Sequence, residues 1–175
     1  MLSKLLMKRN CFFIVILVVF ALTSCRKPEQ FPIEPVITFK DMYTKLNSQG
    51  YDQNIEVVLN FTDGDGDIGY KESGNGAIFD DPNSQYYENF VVKIYELKNG
   101  MWYSGHPWDT IDIGARIPYI TPVVSNKALE GEILRELPVP PHLTNDTFRF
   151  DIFIYDRGLH KSNIITTPAI ILNTQ

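Results

Sequence analysis

The chain has 175 residues, 44% of them apolar, with 16 lysines and arginines against 21 aspartates and glutamates and a formal charge of −5. Nucleic acid is not an expected partner, because phosphate binding needs clustered basic residues and none are present. Internal repeats, low-complexity tracts and a second long apolar span are also missing.

Taken in chain order, the first ten residues carry Lys4, Lys8 and Arg9 and no acid, and Cys11–Leu22 is an uninterrupted apolar run. That run falls short of the ~20 residues a bilayer span needs and has the length of a signal-peptide core. Leu22-Thr23-Ser24-Cys25 then resembles a bacterial lipobox, in which the cysteine receives lipid. Residues 1–24 are expected to be removed and Cys25 to become an acylated N-terminus, each buried methylene adding about 0.8 kcal/mol of membrane affinity. Removing 24 of 175 residues leaves 151, and removing three basic residues leaves 13 against 21 acids, a charge near −8. No cysteine then remains for a disulfide, so stability has to come from packing. Arg26 stands where enterobacterial inner-membrane lipoproteins carry aspartate, which favours the outer membrane. The paired acids of a surface-export signal are also missing, which favours the periplasmic face. The proline-rich stretch after Cys25, RKPEQFPIEP, reads as an extended tether over residues 25–35, ahead of a domain over residues 36–175.

Val36–Phe39 is the first strand candidate. In Asn54–Thr62 (NIEVVLNFT) the side chains of Ile55, Val57, Leu59 and Phe61 share one face, the period of a half-buried strand. This strand leads into FTDGDGDIGY, residues 61–70, where Asp63, Asp65 and Asp67 alternate with glycines. Gly64 to Gly69 fits G-x-G-x-x-G, but the following YKESGNGAIFDDPNSQ has no helical period, and the aspartates would repel a pyrophosphate. An EF-hand counted from Asp63 needs glycine at its sixth position and glutamate at its twelfth, which are Ile68 and Gly74 here. Two readings remain open. Alternating carboxylates can bend around one calcium ion, and Asp-Gly pairs also make turns without any ion.

Beyond the loop, Asn89–Leu97 places Phe90, Val92 and Ile94 on one face, and Asn99-Gly100 is a two-residue hairpin signal. Trp102–Ser104 is a short strand candidate. Trp102, Tyr103 and Trp108 form an aromatic group that, if exposed, could stack on sugar rings, although such residues more often cover a sheet edge. Thr110–Ile113 follows. Leu129–Leu137 aligns Leu129, Ile133 and Leu137 as a strand or a short helical turn. Thr147–Asp156 alternates Phe148, Phe150, Ile152 and Ile154 with polar residues, Arg157-Gly158 makes a turn, and Ile164–Leu172 closes the series.

Seven or eight short strands with Gly, Asn and Asp turns predict an all-β, antiparallel β-sandwich. The succession of TFKDM, VLNFTDGDGDIG, RIPYITP, ALEGEI and FDIFIYDRGLHKSNIITTPAI resembles a family of Bacteroidetes lipoproteins of unknown function. Its most specific blocks are DGDGDIG and YDRGLHKSN. The resemblance implies an immunoglobulin-like β-sandwich and supplies no activity.

In that fold the loops after the second and sixth strands lie at one end, so Asp63, Asp65, Asp67 and Asp156 are expected to converge. Such a cluster repels itself unless a cation neutralises it, with Ca2+ as the candidate cofactor and Arg157 or Lys161 as protein alternatives. Catalysis is not expected. No G-x-S-x-G elbow occurs, no mature cysteine is free, and His106, His142 and His160 lack zinc spacing. Asp80-Asp81 could serve a small hydrolase only if a cleft held both. The expected role is a membrane-anchored binding or structural module with a protein or glycan partner.

Overall fold

Segments with a two-residue apolar period fold as strands. The computed structural model describes residues 31–104, 113–120, 128–139 and 146–173. Eight strands lie among them: β1 (Val36–Leu46), β2 (Asp52–Asp63), β3 (Phe90–Lys98), β4 (Met101–Tyr103), β5 (Leu129–Pro138), β6 (Thr147–Ile154), β7 (Ile165–Thr166) and β8 (Ile170–Ile171). Helix among the described residues amounts to one turn, α1 (Ala77–Asp80). Every pairing between strands is antiparallel, so the chain is all-β.

The strands form two sheets. One has the order β1-β2-β5; the other runs β4-β3-β6, with β7 and β8 both paired to β6. Ile37, Ile55, Val57, Leu59 and Phe61 of the first sheet and Phe90, Ile94, Phe148, Phe150, Ile152 and Ile154 of the second belong to one hydrophobic cluster. Along β6 the four alternate apolar side chains are fully buried, while the residues between them are half-exposed. Each such side chain contributes roughly 1.5–3 kcal/mol on burial. Between β3 and β4, Asn99 and Gly100 both take positive φ, 51° and 77°, and Lys98 pairs with Met101 across them. This is the primed two-residue turn whose twist matches the flanking strands.

Three elements differ from the expected ones. β1 runs on to Leu46, because a register shift between Phe39 and Asp41 resets its alternation and hides the second half of the strand from a period-two reading. Leu129–Leu137, open between strand and helical turn, is strand β5. The expected Ile164–Leu172 strand is split into β7 and β8 by Thr167-Pro168. Pro168 has no N–H to give a ladder, and at Thr167 the main chain donates to the Phe150 carbonyl (2.9 Å) while the hydroxyl accepts the Phe150 N–H (3.0 Å). Residues 110–112 lie outside the described residues, and Ile113 is buried without strand pairing.

The stretch read as a tether does not all stand apart. A compact unit spans Phe31–Gln175, so Phe31–Pro35 belongs to it. Cys25 and the apolar run before it lie outside the described residues, among which no helix is long and apolar enough to cross a membrane.

Candidate metal centre

Two loops meet beyond the ends of β2 and β6. Asp63 is the last residue of β2, and Asp156 follows β6 by two residues. An isolated antiparallel bridge joins Ile68 to Asp156, and the Arg157 N–H donates to the Asp67 carbonyl at 3.2 Å. Within the first loop, the Asp67 N–H donates to Asp63 Oδ2 at 2.8 Å, closing five residues into a cradle. The chain then threads a narrow gap: Gly69 has φ +87°, and a Cβ there would lie 2.0 Å from the Pro118 carbonyl oxygen. Only glycine meets both conditions.

The second loop is shaped around Asp156. Its Oδ1 accepts the His160 N–H and its Oδ2 meets His160 Nδ1, both at 2.8 Å. Leu159 takes φ 68°, a left-handed conformation that a branched residue adopts at a cost. That reversal is what brings His160 back over the carboxylate.

Asp63, Asp65, Asp67 and Asp156, the four residues expected to converge, do converge. One carboxylate oxygen from each lies within 4.8 Å of the others. Asp63 and Asp156 are fully buried. One oxygen each of Asp63, Asp65 and Asp67 is buried and accepts no hydrogen bond. Burial chiefly, then the neighbouring Asp65, Asp67 and Asp156, pushes the Asp63 carboxyl up to about 7, against the Asp67 N–H that favours its anion. Burial and the Asp156 and Asp65 charges raise Asp67. Asp156 is raised by burial, with the His160 hydrogen bonds opposing. His160 in turn is raised by its hydrogen bond to Asp156.

The Arg157 charge favours the Asp67 anion, but neither Arg157 nor Lys161 is paired to a carboxylate of the cluster. Arg157 forms no ion pair with the four aspartates, and its guanidinium donates to the carbonyls of Ile68 (3.0 Å) and Gly69 (2.8 Å) and lies 4.5 Å from the Tyr119 ring. Lys161 places Nζ 3.8 Å from the Phe153 ring. A divalent cation fits the residues present. An all-carboxylate donor set suits a hard ion, and oxygens on opposite sides of Ca2+, each 2.3–2.6 Å from it, stand about 5 Å apart.

The other acids of the long loop do not join. Asp80 accepts hydrogen bonds from the backbone and side chain of Asn75 and pairs with Arg116 at 3.3 Å, the Asn75 side chain being the main cause that lowers its carboxyl. Asp81 caps the Asn83 N–H at 2.9 Å. Arg116, which sequence reading passed over, organises this region. It stacks on Tyr70 and Tyr87 and donates to the Phe79 and Tyr87 carbonyls. Nothing in its local sequence signals that role. The His160–Asp156 pair does have a local signal, an acid and a histidine four apart across Arg-Gly-Leu.

Of the expected aromatic surface, Trp102 and Tyr103 do not share a face, because they are successive residues of β4. Trp102 is half-buried with Arg149 4.3 Å from its ring, Tyr103 is exposed, and Trp108 lies outside the described residues. No protein-family model, curated protein or solved structure matches the chain.

Proposed function

We propose that the chain is a lipid-anchored, non-catalytic lipoprotein of the cell envelope whose immunoglobulin-like β-sandwich is closed at one end by a calcium ion. The observation that carries the calcium reading is the set of buried, unpartnered carboxylate oxygens on Asp63, Asp65 and Asp67 beside a buried Asp156, with Arg157 and Lys161 engaged elsewhere. Four carboxylates this close repel one another in a low-dielectric site, and a divalent cation converts that repulsion into attraction. The enclosure of the oxygens favours an ion that rigidifies the loops over one that presents an open position to substrate.

The strand order supports the immunoglobulin-like reading. With β1, β2, β3, β4, β5 and β6 as strands A, B, C, C′, E and F, and β7 with β8 as G, the sheets are ABE and C′CFG. The lipid anchor rests on the basic head, apolar core and Leu22–Cys25 lipobox, and the proposed place is the periplasmic face of the outer membrane. Mass spectrometry of Cys25, and release of a Cys25→Ala variant from the membrane fraction, test that part.

Calcium is tested by thermal unfolding in chelator and then in millimolar Ca2+. An ion that binds the native state at a hundredfold excess over Kd stabilises it by about 2.7 kcal/mol. A rise of several degrees that disappears in Asp65→Asn and Asp67→Asn variants is expected; an unchanged midpoint overturns the reading.

One observation favours a second reading, a glycan-binding accessory protein. Across the outer face of the second sheet, Trp102, Arg149, Tyr95 and Lys93 stack in series at 4.3, 5.4 and 5.3 Å, and Arg149 Nε is buried with no acceptor. An anionic sugar would meet charge beside aromatic surface there. Retardation by an acidic polysaccharide in a native gel, lost in Trp102→Ala, is the result this reading requires.

A further inference from the structure

We propose that the cation bound by Asp63, Asp65, Asp67 and Asp156 also fastens the N-terminal segment Phe31–Pro35 to the domain, so that metal occupancy sets whether this segment is docked or free. The proposal rests on the calcium reading above.

Gly64 is the hinge of the inference, because it stands between two of the four carboxylates. Its N–H donates to the Pro32 carbonyl at 2.7 Å. A Cβ at Gly64 would lie 2.3 Å from the Phe31 oxygen and 2.5 Å from the Pro32 oxygen. Gly64 is not among the glycines with positive φ. Its lack of a side chain therefore serves close approach of backbone to backbone rather than an unusual turn. The position of Gly64, and so this contact, is tied to that of Asp63 and Asp65 on either side of it.

The same segment is fixed at its other end without reference to the metal. Pro35 is buried, and the Asn163 side chain accepts the Ile37 N–H at 2.8 Å and donates to the Ile37 carbonyl at 2.9 Å. Phe31–Pro35 is thus pinned at Ile37 by an amide and at Pro32 by the acidic loop. Asp63 is fully buried with one oxygen unpartnered, so without a cation the four carboxylates either repel one another or take up protons, and in both cases the loop loses the ion that ties it together. Loosening that loop withdraws Gly64 from Pro32 and releases the segment at one end only.

Reciprocity gives the test two arms. If the ion docks the segment, then the docked segment strengthens binding of the ion by the same factor. The full chain in detergent is followed by hydrogen–deuterium exchange at the Gly64 amide, in millimolar CaCl2 and in chelator, with calcium affinity measured by titration calorimetry. About tenfold slower exchange in calcium is expected, together with about tenfold weaker calcium binding when residues 26–32 are deleted, within the usual range of such couplings. The wild-type exchange measurement stands even if the deletion impairs folding. Gly64 exchange indifferent to calcium, or an affinity indifferent to the deletion, overturns the coupling while leaving the metal site intact. A wild-type chain that binds no calcium overturns both.

Discussion

Arg157 donates its main-chain N–H to the carbonyl of Asp67, yet its guanidinium turns to the carbonyls of Ile68 and Gly69 and leaves the Asp67 carboxylate without an ion pair. The residue therefore acts as a clamp between two loops more than as a counter-charge. Arg157→Lys keeps the charge and loses the two-carbonyl fork. Denaturant unfolding should show Arg157→Lys losing about 1–3 kcal/mol, nearly as much as Arg157→Ala, because two carbonyls lose their donor in either case. A lysine variant with wild-type stability would make Arg157 the neutralising charge instead.

The metal-free chain should become less stable as pH rises. Asp63 has a folded-state value of about 7 against roughly 3.9 unfolded, so between those limits the folded state holds the extra proton. Its contribution is fully present below about pH 4 and is lost as pH rises through about 7. Asp67, Asp156 and His160 are also raised and act in the same direction. Unfolding free energies from urea titrations in chelator should fall from pH 5 to pH 8, by up to about 1.4 kcal/mol per pH unit per proton. Saturating calcium should remove the trend, and a chelator profile that rises with pH contradicts the assignment.

Asp63→Asn should change sign with conditions. The amide oxygen still accepts the Asp67 N–H, while the buried charge is gone. In chelator at pH 8 the variant should exceed wild type by about 1–3 kcal/mol, the scale of a relieved buried charge. In calcium it should fall below wild type, having lost a ligand. Paired melting curves in the two buffers decide this, and the same sign in both would remove Asp63 from the ligand set.

Asn163 joins β1 of one sheet to the segment that enters β7 of the other, through both polar groups of Ile37. Asn163→Ala leaves the buried Ile37 unpaired at those groups and should lower stability by about 1–3 kcal/mol. An unchanged denaturant slope with a lower midpoint is the expected signature. A variant within 0.5 kcal/mol of wild type, roughly the scatter for surface changes, would show that water replaces the amide.

Much of this arrangement was legible where the physics is local. Phe148, Phe150, Ile152 and Ile154 declare β6 through their period, and Asp63 and Asp156 sit at strand ends, so the topology of the expected fold was enough to bring them together. The register shift at Lys40 was not legible, because a bulge depends on the partner strand and erases the period that reveals the rest of β1. Arg116 was hidden for a related reason: its acceptors at Phe79 and Tyr87 are 37 and 29 residues away. Trp102 and Tyr103 show a limit of reading clusters from sequence, since adjacent residues of a strand point to opposite faces. The contact of Gly64 with Pro32 had no signal, as the same glycine reads equally well as part of an Asp-Gly turn.

The break at Thr167-Pro168 has a consequence for crowding. An uninterrupted outer strand offers neighbouring molecules a ready template for pairing. Here β7 and β8 each offer two residues, separated by a proline with nothing to donate. Where copies meet at high local density, such an edge keeps encounters brief. The cost is one ladder position, which the Thr167 hydroxyl recovers.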